Sequence, residues 1–569
     1  MLDTRVSRTE DEPFGWWPDI DWAKVEGNVR ALRQRIFAAA KRQDWITVRG
    51  LQQLMLRSWS NVLWSVRRVT QANAGRRTAG IDGMIVLDDR TRARLARWLD
   101  TNALTTTPKP ARRVYIPKPG GKRRPLGIPV VIDRCCQAMV VNALEPEWEA
   151  RFEPDVYGFR PGRGCHDAIA AIFGTIAGKY RHRMWVLDAD LKGAFDHIDH
   201  EHLLRQLDGF PAKGHVRAWL KAGVVEDDMF TETDEGTPQG GVISPLLLNI
   251  ALHGLEETAG VRRYREGLAH LGDHVRRECP VVVRYADDLV VLCHSREDAL
   301  AVKERLTGWL AERGLVFNDD KTRVVSVFDG FDFLGFNVRR YPCGKVLIKP
   351  SKAALTRIRR RLSTTVKSLH GANALAVVAA LNPIIRGWAA YYRVGVSSEA
   401  FHKLDDHVWA LTWRWARRQH PHKGKRWVRR RYWRRFHPGR QDHWVFGDIN
   451  TGRYLVKFSW TPIVRHVKVK IRASPDDRTM AGYWWLRRRN HNHAPVSDFL
   501  AGLLVRQGGR CPRCGDLLLY AEMPPQTPQE WAQWHRGIRT ATARNALAMS
   551  ATGSRQLLHL HRAQRAPDP

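Results

Sequence analysis

Two carboxylates stand side by side in Tyr285-Ala286-Asp287-Asp288, between apolar runs at 281–283 and 289–292. Runs of this length read as buried strands, and the tetrapeptide between them as the turn of a β-hairpin. Adjacent acids in apolar surroundings repel each other unless cations neutralise them. Mg2+ does so through carboxylate oxygens while keeping positions for substrate phosphates. An ordinary polar turn has the same composition, since Asp is common in turns. The tetrapeptide therefore needs a partner before it means chemistry.

That partner lies in Trp185-Val-Leu-Asp-Ala-Asp-Leu-Lys-Gly-Ala-Phe-Asp196, where carboxylates follow another short apolar run. Asp188 and Asp190 share one strand face by the two-residue period, so both are candidates. Asp190 is preferred because its spacing sets a bulky ring, Phe195, five residues on, as in the first metal-binding motif of polymerase palms. The two acidic motifs are far apart in sequence, so only folding can unite them. Asp190, Asp287 and Asp288 at adjacent strand ends would make a two-metal Mg2+ site for phosphoryl transfer. Between them lies Gly236-Thr-Pro-Gln-Gly-Gly-Val-Ile-Ser-Pro-Leu-Leu-Leu-Asn249. Its glycines, Gly240 among them, allow backbone to approach a ligand closely, and Gln239 can bond sugar or base-pair edges. Upstream, Ile116-Pro-Lys-Pro-Gly-Gly-Lys-Arg-Arg-Pro-Leu-Gly-Ile-Pro129 offers Lys118 and Arg124 as triphosphate clamps. A plain Gly/Pro turn and a generic basic loop are the bland readings of these two stretches.

The elements that must position these residues are legible in outline. Residues 21–68 read as helical from apolar spacing of three and four, and the loop 73–83 ends them. Residues 108–129 read as a basic hairpin or loop. From 131 to 338, helical segments alternate with short apolar runs, among them 185–187, which predicts an α+β sheet domain. Residues 351–369 return to helix, with Leu355, Ile358, Leu362, Val366 and Leu369 on one face and arginines on the others. Residues 409–436 interleave Trp and Arg. That pattern suits RNA recognition by charge and stacking, and it equally suits a Trp-rich helical core. At 569 residues the chain is too long for one core, so a soluble, globular, multidomain protein is expected. Lys plus Arg number 93 against 58 Asp plus Glu, a net charge of +35, which points to a polyanionic partner such as nucleic acid. No apolar run approaches the ~18–20 residues of a membrane span, and residues 1–17 lack a secretory signal. Eight cysteines, mostly scattered, fit a reducing cytoplasm rather than a disulfide framework.

Further motifs follow in order: Gly80-Ile-Asp-Gly83, Tyr157-Gly-Phe-Arg-Pro-Gly-Arg163, Gly314-Leu-Val-Phe-Asn-Asp-Asp-Lys-Thr322, Phe331-Asp-Phe-Leu-Gly-Phe336 and Arg386-Gly-Trp-Ala-Ala-Tyr-Tyr392. With the acidic, glycine-rich and basic segments, this set resembles a bacterial group II intron-encoded reverse transcriptase/maturase over residues 15–510. The resemblance implies an α+β right-hand polymerase with fingers, an antiparallel palm sheet and a helical thumb, plus a basic C-terminal extension. It implies an N-terminal helical extension joined to the fingers (1–100), fingers and palm (101–345), and thumb with maturase domain (346–440). A basic nucleic-acid-binding region (441–505) and a small tail (506–569) follow. The implied activity is RNA-directed DNA synthesis from dNTPs on an RNA template with a DNA primer, with binding of group II intron RNA for splicing and of target DNA for mobility. Phe195 would lie beneath the incoming sugar and exclude a 2′-hydroxyl. Arg357, Arg360 and Arg361 would follow the template–primer backbone, and Arg429, Arg430 and Trp433 would meet RNA. Many relatives end in a zinc-supported HNH nuclease with two Cys pairs and a His-His dyad. Here Cys511 and Cys514 have ligand spacing, yet no cysteine follows them; His535, His559 and His561 are available. The tail is either a reduced Zn2+ site or a degenerate remnant. The rival readings are a splicing maturase with a vestigial polymerase and a retron-type reverse transcriptase.

Overall fold

The computed structural model describes residues 16–117, 123–178, 182–265, 273–489, 525–543, 547–549 and 555–557. It is a mixed α/β structure with several sheets. The N-terminal helical stretch is three helices, Trp22–Lys41, Trp45–Leu56 and Trp59–Arg67, rather than one run. Capping marks the first two starts. Asp21 accepts from the amides of Ala23 and Lys24, and Asp44 from that of Thr47, so each carboxylate satisfies helix-start donors and restarts the helix. These helices pack on Val131–Arg151, which is buried along most of its length. The basic segment is a hairpin of Ala111–Pro117 and Arg123–Ile128, with Ile116 opposite Arg124.

An antiparallel four-stranded sheet runs in the order Arg323–Ser326, Trp185–Asp190, Asp288–Cys293, Val281–Tyr285. Alternate residues feed two different cores. Leu187, Val282, Leu289 and Val291 join the core that holds the N-terminal helices. Val186, Val283, Val290 and Leu292 join the core built from the helices beyond residue 350. A sheet covered on both faces needs near-continuous apolar strands, which is why the runs lack polar alternation.

The helix Lys352–Ser368 buries Ala354, Ile358, Leu362 and Val366 and leaves Arg357, Arg360 and Arg361 exposed. The next helix, Ala374–Tyr392, corrects the expectation that no apolar run reaches membrane-spanning length: by length and composition it does. Its apolar residues instead fill the second core, with Val377, Leu381, Ile385 and Ala389 buried. Trp433 is a second correction. It is 3% exposed, packed against Trp413 and Phe446 with ring centroids 5.2 and 5.3 Å away, so it serves as core and cannot stack on RNA. Arg429 and Arg430, on Lys425–Tyr432, are exposed; Trp409 and Trp444 keep large exposed faces, and the Arg429 guanidinium lies over Trp444 at 4.7 Å. Six described cysteines are free thiols. Lys118, Cys511, Cys514, His559 and His561 lie outside the described residues. His535 is buried in the helix Pro528–Ala543.

Candidate active site

The sheet register does what sequence spacing could not. Asp190, the last residue of its strand, stands directly opposite Asp288, the first residue of the neighbouring one. Tyr285 pairs with Asp288 across the hairpin, so Ala286 and Asp287 form a two-residue turn. Ala286 has φ of +58°, a conformation that tight hairpins need but that usually falls to Gly, Asn or Asp. The surroundings hold it there. The buried Arg284 donates to the carbonyl of Ala286 at 3.2 Å and to Asn249 Oδ1 at 3.0 Å. Asn249 Nδ2 donates in turn to the carbonyl of Gly158 at 2.9 Å. Val156 bridges Arg284 in parallel, and a Cβ on Gly158 would sit 2.3 Å from the Ala286 nitrogen. Phe159 follows at φ of +59° and sets its ring edge-on to Phe195, centroids 6.1 Å apart. Strained backbone held by its surroundings is characteristic of functional sites.

The electrostatics suit added positive charge. Burial first, then Asp287 and Asp190, push the Asp288 carboxyl up to about 8. Burial likewise raises Asp287, with Arg124 and Lys321 opposing. Lys321 donates to Asp190 Oδ2 at 2.6 Å, and Asn318 to the same oxygen at 3.2 Å. Asp188 differs: Arg323 pairs with it at 3.3 Å, and burial pushes it to about 6. The register therefore sets Asp190, and not Asp188, opposite Asp288. Among the described residues no three His, Cys, Asp or Glu side chains form a ready-made metal cage. An open groove of about 320 Å³ runs along this strand end, lined in part by Asp190, Asp288, Lys321 and Arg323.

The glycine-rich loop closes on the same region. A Cβ on Gly236 would meet the Asp196 carbonyl oxygen at 2.4 Å, and the Thr237 amide donates to the Phe195 carbonyl at 2.5 Å. Gln239 Nε2 donates to Asp196 at 3.1 Å, while the Gln239 carbonyl accepts from Gly127. Gly240, at φ of +124°, leaves only 2.7 Å between a Cβ and the Gly127 oxygen. The loop is thus fixed between the turn after Asp190 and the basic hairpin that carries Arg124. Arg357, Arg360, Arg361, Arg429 and Arg430 lie on other helices. Lys321, Asn318, Arg284 and Phe159 have roles that the sequence did not assign. Lys321, Asn318 and Phe159 sit inside the quoted motifs, which was the available signal.

Three known families match successive parts of the chain. Residues 116–338 match the family described as reverse transcriptase (RNA-dependent DNA polymerase), residues 17–99 the N-terminal domain of reverse transcriptase, and residues 355–433 the group II intron maturase-specific domain. The chain is 36% identical over 350 residues to Protein YkfC of Escherichia coli (strain K12), covering 56% of this chain and 86% of that protein. It is 30% identical over 289 residues to group II intron-encoded protein LtrA of Lactococcus lactis subsp. cremoris, covering 41% of this chain and 48% of that protein, about half of its length. An uncharacterized 91 kDa protein in the cob intron of Schizosaccharomyces pombe is 27% identical over 355 residues, 50% of this chain and 43% of that one.

Proposed function

This chain belongs to the group II intron-encoded reverse transcriptase/maturase family, so it is an RNA-directed DNA polymerase, and we propose that Asp190, Asp287 and Asp288 are its polymerase centre. The observation that carries the assignment is the register that sets Asp190 opposite Asp288, with Asp287 in the adjoining turn. Asp190, Asp287 and Asp288 would hold divalent ions, Mg2+ in our reading, which would supply activation of a primer 3′-hydroxyl and neutralisation of the triphosphate. Lys321 and Arg124 add fixed positive charge beside the acids, and Lys118 is assigned to the triphosphate with them. Phe195 limits the space under the sugar, favouring dNTPs. Gln239 and Gly240 hold the loop against that sugar-binding turn.

The rest of the chain fits a right-hand arrangement in our reading. The sheet domain supplies fingers and palm, and the helices from Lys352 the thumb and maturase surface. Exposed Arg357, Arg360 and Arg361 suit the RNA template and DNA primer. Arg429 and Arg430, beside the exposed faces of Trp409 and Trp444, suit intron RNA and target DNA. We place this activity in the bacterial cytoplasm. Purified protein given Mg2+, a primed RNA template and dNTPs should make cDNA, and Asp287→Asn should abolish it while melting normally. A wild-type chain that makes no cDNA yet promotes splicing of a flanking intron at low Mg2+ would establish the splicing-factor reading instead.

A further inference from the structure

The described helix of the tail, Pro528–Ala543, and the residues just before it reach the polymerase centre. We propose that Gln526 is a positioning residue for the catalytic hairpin, and that residues 526–535 form a strut tying Tyr285 to the helix Ala374–Tyr392. The inference rests on the polymerase reading given above.

The contact is built from both sides. Gln526 Oε1 accepts from the Tyr285 hydroxyl at 3.2 Å and from the Cys165 amide at 2.7 Å, and the Gln526 carbonyl accepts from the Cys165 thiol at 3.3 Å. Gly164 makes the room: a Cβ there would lie 2.8 Å from both Gln526 amide atoms. The tail's own sequence fixes the glutamine's direction. Thr527-Pro-Gln-Glu530 opens the helix with proline at its first position and a reciprocal cap, in which Thr527 Oγ1 accepts from the Glu530 amide at 3.2 Å. The Glu530 carboxylate accepts in turn from the Gln526 backbone N–H at 2.8 Å. The far end of the strut is just as close. On Ala374–Tyr392, a Cβ at Gly387 would meet the Pro528 carbonyl at 2.3 Å and the Ala532 nitrogen at 2.6 Å, so only glycine admits the helix. Trp531 and Ala532 are buried in that contact.

Tyr285 transmits the effect. Its backbone pairs with Asp288 and leads directly into Ala286 and Asp287. A half-buried phenol packed against the second core, with its hydroxyl bonded, has one settled position, and the chain that carries two of the three acids follows it. The tail thereby acts on the reaction without touching substrate.

The test is a double-mutant cycle on the full chain, reading single-nucleotide incorporation on a primed RNA template. Gln526→Ala should lower kcat by about 5- to 10-fold, the rate equivalent of one neutral hydrogen bond, with KM for template–primer and the melting temperature little changed. Tyr285→Phe removes the other partner, so Gln526→Ala in that background should lower kcat by less than about 2-fold further. Unaltered kcat in Gln526→Ala, or two effects that multiply in full, would overturn the strut. A wild-type chain that makes no cDNA would overturn the polymerase reading, and the strut with it.

Discussion

Gly158→Ala is the sharpest probe of how the catalytic turn is supported. The added methyl would lie 2.3 Å from the Ala286 nitrogen, 2.9 Å from the Tyr285 carbonyl carbon and 3.1 Å from the Ala286 Cα. Ordinary contacts of this kind need about 3.5 Å, so the turn must retreat by roughly 1 Å. It has little freedom to do so, because Arg284 and the Val156 bridge hold it from the same side. Overpacking of this sort costs about 1–3 kcal/mol of stability. The larger effect should fall on rate, since a displacement of ~1 Å at reacting groups can cost about 10²-fold. The assay is single-turnover incorporation of one dNTP on a primed RNA template, with a melting curve on the same sample. Gly174→Ala is the control: it lies in the helix Cys165–Ile176 with open space around it and should be neutral or slightly stabilising. A Gly158→Ala enzyme that is folded and polymerises at the wild-type rate would refute the support assigned to this glycine.

Phe195→Ala should raise ribonucleotide incorporation relative to deoxynucleotide incorporation, measured as the ratio of kcat/KM values; an unchanged ratio would remove Phe195 from the sugar site. Trp433→Ala should cost about 3–5 kcal/mol of stability, as large aromatic deletions from cores do, with RNA affinity preserved in the folded fraction. Arg429→Ala with Arg430→Ala should do the reverse, weakening RNA binding and reducing its salt slope by about 1 for each phosphate no longer neutralised. His166 gives a pH prediction. Its Nε2 meets the Tyr391 carbonyl at 2.8 Å, and burial first, then His466, push its pKa down to about 3. Because that lies below the ~6.5 of an unfolded histidine, the neutral ring's contribution is complete above pH 6.5. It is lost as pH falls toward 3, at up to about 1.4 kcal/mol per unit. Between pH 7 and 5 the melting temperature of wild type should therefore fall faster than that of His166→Gln, and parallel curves would contradict the burial.

Local elements and the chemistry on offer follow from the order of amino acids alone. Apolar runs at 185–187, 281–283 and 289–292 specify strands because a two-faced buried sheet leaves no other use for them. Acids flanking those runs put mutually repelling carboxylates at strand ends, which is the chemistry on offer to a cation. What spacing could not decide was register. Asp188 and Asp190 share one strand face, and spacing to Phe195 favours Asp190; the pairing across the strand sets Asp190 opposite Asp288, while Asp188 pairs with Arg323. Burial was likewise beyond reach in the Trp/Arg stretch, since rings and guanidinium groups at helical spacing serve a core and an RNA surface equally. Tertiary packing put Trp433 inside and left Trp409 and Trp444 partly outside. Lys321 and Gln526 are the extreme case. Each acts on a residue more than a hundred positions away, through one hydrogen bond whose existence depends on the whole fold between them.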